Sequence, residues 1–224
     1  MSGKYIHILP LIFITSVLIL SILYSVLFFH NFYIHVFRLS QQDVEQTLSN
    51  YPDICTTISN CILMPGDILI RRYITPQTQY LDFFIHPYFT HSALYLGNSQ
   101  IVEAVGIKKS HAHEIQISSL STSDWNDKKI EKLVVLRPNY KVDQLRRIID
   151  NLYQIAADPD YRFGLPQPLL KQTTCADLIV TQLKNEHIIL ESYAPQIISP
   201  DYILWLATRD MHIIDIATTT LDLH

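Results

Sequence analysis

Between Ile8 and Phe29 the chain carries no formal charge, and Ile, Leu, Val and Phe dominate the run. It is interrupted only by Pro10, Tyr24 and the hydroxyls of Thr15, Ser16, Ser21 and Ser25. A helix of this length reaches across a bilayer core of about 30 Å. A cleaved signal peptide and a buried core helix are the alternatives. Signal h-regions run about 7 to 15 residues and end in small residues, whereas this run ends in Phe28-Phe29-His30-Asn31-Phe32. The expectation is an uncleaved single-pass anchor. It divides the chain into an anchor with its flanks over 1–34, a spacer over 35–62 and a folded domain over 63–224. Lys4 lies closer to the run than Arg38 does, which places the amino end in the cytoplasm and the domain outside it.

What remains beyond the run, 195 residues, suffices for one domain with a sizeable core. The formal net charge is -4 with mixed signs, so there is no basic stripe on which a nucleic acid would be held. No repeat period and no low-complexity tract points to a fibrous or disordered chain.

Local patterns supply the elements. Gln41 to Asn50 reads as a short polar helix leaving the membrane. Met64-Pro65-Gly66-Asp67 turns into a strand over 68–73, whose aliphatic and β-branched residues favour an extended backbone. Ser92 to Leu96 and Gln100 to Val105 form a hairpin around Gly97-Asn98. The polar stretch from Lys108 to Lys129 reads as a loop or a weakly formed excursion. A strand over 132–138 is stopped by Pro138. From Val142, the spacing of Leu145, Ile148, Ile149, Leu152 and Ile155 predicts a one-faced helix that ends before Asp158-Pro159. A second helix runs from about Thr174 to Lys184, and a third opens at Ser199-Pro200-Asp201.

Three residues in this frame carry chemistry in the order base, orienter, nucleophile: His91, Glu103 and Cys175. A thiol nucleophile needs a base to make thiolate, and the base needs a third group to orient it. Register decides whether Glu103 can serve. A strict two-residue turn at Gly97-Asn98 would set Glu103 opposite Ser92, on the face away from His91. A three-residue turn, Gly97-Asn98-Ser99, sets it opposite Ala93, which shares a face with His91. The triad therefore requires the longer turn; otherwise Glu103 is a solvated strand carboxylate. Cys175 falls in the first turn of its helix, where unpaired amides and the helix dipole favour a thiolate and an oxyanion alike. Read alone, Cys175 is as consistent with a buried structural cysteine; the His-Glu hairpin upstream turns the reading toward catalysis.

Other candidates fall away or stay open. Cys55 and Cys61 are close enough in sequence to form a disulfide in an oxidising compartment, or they stay reduced and buried. His111 and His113, two apart, would need a third ligand to hold a metal, and in a polar stretch they read as solvated histidines. His86, just before Pro87, is the alternative base to His91.

Four segments together resemble a known family: Gly66-Asp67-Ile68-Leu69, His91-Ser92-Ala93-Leu94-Tyr95-Leu96-Gly97, Ile101-Val102-Glu103-Ala104 and Thr174-Cys175-Ala176-Asp177-Leu178. In that order they look like the YiiX/YebB-like branch of the NlpC superfamily, over roughly Leu63 to Leu206. The resemblance implies an α+β, circularly permuted papain-like (NlpC-type) domain, an antiparallel sheet with packed helices, preceded here by one N-terminal transmembrane helix. It implies Cys175 as nucleophile, His91 as general base, Glu103 as the group holding the imidazole, and Tyr161 lining the cleft. It implies no metal and no organic cofactor. Relatives commonly carry an aromatic residue before the cysteine and Ser or Thr followed by Glu after it; here Thr174, Ala176 and Asp177 stand in those places, so substrate preference does not carry over.

The expected function is a membrane-anchored cysteine hydrolase acting on an amide or ester bond of a peptide, a cell-wall peptide or a lipid-linked acyl group. The alternatives are a membrane-tethered peptide- or lipid-binding domain with an idle thiol, and a thiol acyltransferase using the same residues.

Overall fold

Ile68-Leu69-Ile70 lies at the middle of the molecule because both of its faces are covered, and so it reads as a continuous apolar run rather than an alternating one. These residues belong to strand β1 (Ile68–Tyr73). In the computed structural model the described residues are 8–34, 37, 39–51, 58, 61–73, 87–106, 114–126, 130–164, 170–189, 198–209 and 213–220, with side chains described for all but 8–12, 27–34 and 213–220. Strand β1 pairs antiparallel with β2 (His91–Gly97) on one side and β5 (Ile130–Pro138) on the other. With β3 (Gln100–Ala104), β4 (Ile115–Ser119) and β8 (Ile213–Thr220) they form a sheet of order β4-β3-β2-β1-β5-β8. Every neighbouring pair in it is antiparallel. Two short strands, β6 (Arg162–Phe163) and β7 (Gln172–Thr173), pair parallel to each other apart from it.

The helices cover one face. They are α3 (Val142–Ala157), α4 (Cys175–Asn185) and α5 (Pro200–Arg209). Ile148 and Leu152 of α3, Leu178, Ile179 and Leu183 of α4, and Tyr202, Ile203 and Leu206 of α5 share one core with Ile68, Ile70, Leu94, Leu96, Val102, Val134 and Leu136. The other face carries Leu69, Ala93, Ile101, Leu133 and Val135, closed over by Leu120, Trp125 and Ile58. The architecture is α+β, as expected.

The turn before β1 shows why Gly66-Asp67 stands there. Gly66 has φ +94°, and a Cβ on it would lie 2.7 Å from both Tyr140 and Leu145, so only glycine fits this backbone and this contact. The Asp67 carboxylate accepts from the Met64 amide at 2.7 Å and from Arg137 Nε and Nη2, each at 2.7 Å.

Several expectations are corrected. The stretch from Lys108 to Lys129 is not simply a loop: it contains β4 and a 3₁₀ turn over Asp124–Asn126. The strand expected over 132–138 begins two residues earlier, at Ile130. Strand β8 was not anticipated at all. Within the expected spacer, helix α2 (Gln41–Leu48) is capped by a Ser40/Asp43 capping box and buries Val44 and Leu48 in the helix-side core. Eight residues are too few to hold a helix alone. Each buried side chain contributes about 1.5 to 3 kcal/mol, so the core holds α2 in place.

Residues Ile8–Ile34 form one helix, α1. Its described side chains from Phe13 to Val26 are exposed. Among the described residues no helix is long and apolar enough to cross a membrane. The transmembrane helix expected within 1–34 is therefore not part of what the fold establishes.

Candidate active site

The β2–β3 hairpin places the first two residues of the trio. Leu94 pairs with Val102 and Tyr95 with Ile101; one step further sets Glu103 opposite Ala93, on the face of His91. That is the register the triad requires. The means differ from the expected three-residue turn: Gly97 pairs with Gln100, leaving only Asn98 and Ser99 in the turn, and the register shifts between Tyr95 and Gly97. Asn98 and Ser99 both have positive φ, 49° and 58°, as a primed hairpin turn demands. The extra residue is absorbed as a bulge.

Glu103 is 5% exposed and each of its oxygens accepts twice. Oε2 accepts from His91 Nε2 at 2.9 Å and Trp125 Nε1 at 3.0 Å; Oε1 accepts from Ser118 Oγ at 2.9 Å and Gln116 Nε2 at 3.2 Å. Burial pushes the Glu103 carboxyl up, but His91, Trp125 and Ser118 outweigh it and bring it down to about 2. An ionised carboxylate only accepts, so Nε2 must carry a proton. Nδ1 is then the nitrogen left for a second partner.

That partner is Cys175. Thr174 caps α4, its side chain accepting from the Asp177 amide at 3.1 Å, and Cys175 is the first helical residue. It is a free thiol, 9% exposed. Helix α4 packs on the face of Ser92 and Leu94, while strand alternation sends His91 to the other. They meet because His91 is the first residue of β2, at the end of the strand beside the helix mouth. Burial pushes the Cys175 thiol up; the charge of His91, its hydrogen bond, and the backbone of Ser92 outweigh this and hold the thiol below its ordinary value. Burial alone would lower the His91 imidazole, yet the Cys175 charge and hydrogen bonds to Cys175 and Glu103 raise it to about 9. Both shifts favour a thiolate–imidazolium pair at neutral pH.

Asp201, at the start of α5, steadies the approach to His91. It accepts from the amides of Tyr88 and Phe89, each at 2.7 Å, and of Leu39 at 3.0 Å. Burial lifts its carboxyl to about 6 against those three donors.

Five residues around the trio escape a reading of residue types alone: Arg71, Ser92, Gln116, Ser118 and Trp125. The signals existed. Ile115-Gln116-Ile117-Ser118 alternates with period two, Trp125 is the single aromatic in a polar stretch, and Arg71 interrupts an aliphatic strand. Arg71 pairs directly across from His91 and is 8% exposed. Its guanidinium lies 4.4 Å from the Trp125 ring centroid and 5.2 Å from that of Tyr73. Tyr161, expected to line the cleft, packs partly buried against the helix-side core.

Cys61 is disulfide-bonded, while Cys55 lies outside the described residues, as do His86, His111 and His113. Among the described residues no three His, Cys, Asp or Glu side chains are grouped to hold a metal ion.

No known family model matches the chain and no curated protein matches it. Among solved structures it is similar to the metalloprotein YiiX from Escherichia coli O157:H7 at 14% identity and a TM-score of 0.43, covering 70% of this chain and 96% of that one. The chemistry of the site rests on its own side chains.

Proposed function

We propose that the chain is a cysteine hydrolase that cleaves an amide or ester bond through an acyl-enzyme. The observation that carries this reading is the saturation of Glu103, which fixes the proton on His91 Nε2 and leaves Nδ1 to the Cys175 thiol. The Cys175 thiolate attacks the carbonyl carbon, and the backbone amides at the mouth of α4 receive the oxyanion. The His91 imidazolium gives its proton to the leaving amine or alcohol. Neutral His91 then takes a proton from water, which attacks the thioester, frees the acid and restores the thiolate–imidazolium pair. A nucleophile other than water at this step makes the same site an acyltransferase.

The chain order, with base and orienter ahead of the nucleophile, supports a circularly permuted papain-like arrangement of the NlpC type. The uncharged run in α1 supports tethering to a membrane, and the disulfide-bonded Cys61 supports an oxidising, non-cytoplasmic compartment for the domain. Peptides, cell-wall peptides or lipid-linked acyl groups are the substrates in keeping with that placement.

Thiol alkylation tests the reading. Iodoacetamide should modify Cys175 near neutral pH, and His91→Ala should slow it about a hundredfold or more. Equal, slow modification in both proteins would mean an idle thiol and leave a membrane-tethered binding domain.

A further inference from the structure

Arg71 is a buried cation whose hydrogen-bonding capacity is unmet. Among the described residues Nε and Nη1, closed off from solvent, have no hydrogen-bond partner, and Arg71 makes no ion pair. Groups left this way at a site ask for a ligand, since an unmatched buried donor is costly. The carboxylates whose charge acts on it are Glu103 and Asp124. Glu103 already accepts from His91, Trp125, Gln116 and Ser118, so it has no lone pair to spare. The faces of the guanidinium are taken by Trp125 and Tyr73, which leaves its edge, the geometry that matches a planar carboxylate. Arg71 stands directly across the strand pair from His91, and the Cys175 charge acts on it as well.

We infer that Arg71 reads an acidic group on the substrate, so that the site prefers peptide or acyl substrates carrying a carboxylate beside the scissile carbonyl. The inference rests on the cysteine-hydrolase reading and names its substrate class. The acid approaches at Nη2, the guanidinium nitrogen that is not closed off, and takes the Nε–Nη2 edge as a fork. A neutral analogue would leave the buried donors unmet, and a site built to satisfy a polar group discriminates most strongly against the partner that lacks it.

Iodoacetate and iodoacetamide test this, because they deliver the same alkyl group to the thiol and differ in the carboxylate. The full chain in detergent is treated with each, and the acid-to-amide rate ratio at Cys175 is compared with that of glutathione. The ratio should exceed the glutathione value about tenfold and fall most of the way back in Arg71→Met, with Arg71→Lys between them because it keeps the charge and loses the fork. The wild-type chain also answers without a variant. At about pH 10 the His91 imidazolium, raised to about 9, is discharged; burial lowers the Arg71 guanidinium from its ordinary value, but an arginine in a protein is not discharged at this pH, so the preference for the acid should persist there. A glutathione-like ratio, its loss at about pH 10, or its retention in a folded Arg71→Met chain would overturn the role of Arg71 and leave the hydrolase reading standing. Slow reaction of Cys175 with both reagents would remove both.

Discussion

The two ends of β1 each carry an arginine environment, and they have been built to opposite specifications. At the entry, Asp67 is 1% exposed and clasps Arg137 through two hydrogen bonds of 2.7 Å; Arg137 also donates to the Ile62 carbonyl at 2.8 Å. The charges there answer each other, and the turn into the strand is closed. Toward the exit, Arg71 is nearly as buried and has two donors with no acceptor among the described residues. Native folds leave few buried donors in this state. The difference separates polar groups that hold the fold from polar groups kept ready for a ligand, and it does so along one strand and the turn that enters it.

The largest effect that should sharpen this contrast is on stability at the closed end. Asp67→Ala strands the Arg137 charge and opens the turn, and should cost about 3 kcal/mol, read as a lowered midpoint in urea. The Cys175 alkylation rate of the folded variant should stay within about twofold, since the pair lies outside the reacting groups. A cost under about 1 kcal/mol would make the two ends energetically alike and dissolve the comparison.

The open end should respond in reactivity. In Glu103→Gln the side-chain amide donates as well as accepts, so it no longer dictates that His91 Nε2 keeps its proton. Alkylation of Cys175 should slow about tenfold to a hundredfold, while the urea midpoint moves less than in Asp67→Ala. Wild-type reactivity in that variant would mean that the carboxylate does not orient the imidazole.

The smallest effect is the pH dependence of stability. His91 is raised from 6.5 to about 9, so its contribution is full below about 6.5 and is lost as pH rises through about 9. Glu103 is lowered from 4.5 to about 2; its contribution is present above about 4.5 and is lost as pH falls toward about 2. Cys175→Ala removes the charge that most raises His91, and should flatten the alkaline arm while leaving much of the acid arm. Denaturant midpoints across pH check this. An unchanged alkaline arm in that variant would mean that the thiol and imidazole are not coupled.

Much of the frame was legible from local pattern. Strand β1, the hairpin, α3, and the start of α4 at Thr174-Cys175 follow from aliphatic runs, a turn signal, a helical period and a capping residue, each of which acts over a few residues. The segment from Lys108 to Lys129 was misread because its polar residues outnumber its apolar ones. Its strand is decided by pairing: Glu103 sits across from Gln116 and Val102 from Ile117, so the polar residues of β4 serve the carboxylate while Ile115 enters the helix-side core. Strand β8 depends on β5 in the same way. The hairpin turn was half legible. Its register was required by chemistry, but a bulge rather than a longer turn produces it.

The sequence by itself determined which groups are available: a thiol at a helix start, an imidazole at a strand start, a carboxylate twelve residues on, and an uncharged run ahead of them. Backbone propensity and hydrophobic period are local, and these are the features they govern. Only the tertiary structure decided that Glu103 has four donors, that the Cys175 sulfur and the His91 imidazole meet at the end of β2, and that Arg71 is buried without an acceptor among the described residues. Those facts belong to contacts between segments far apart in the chain, where burial strips away water and makes each unmet or saturated hydrogen bond count.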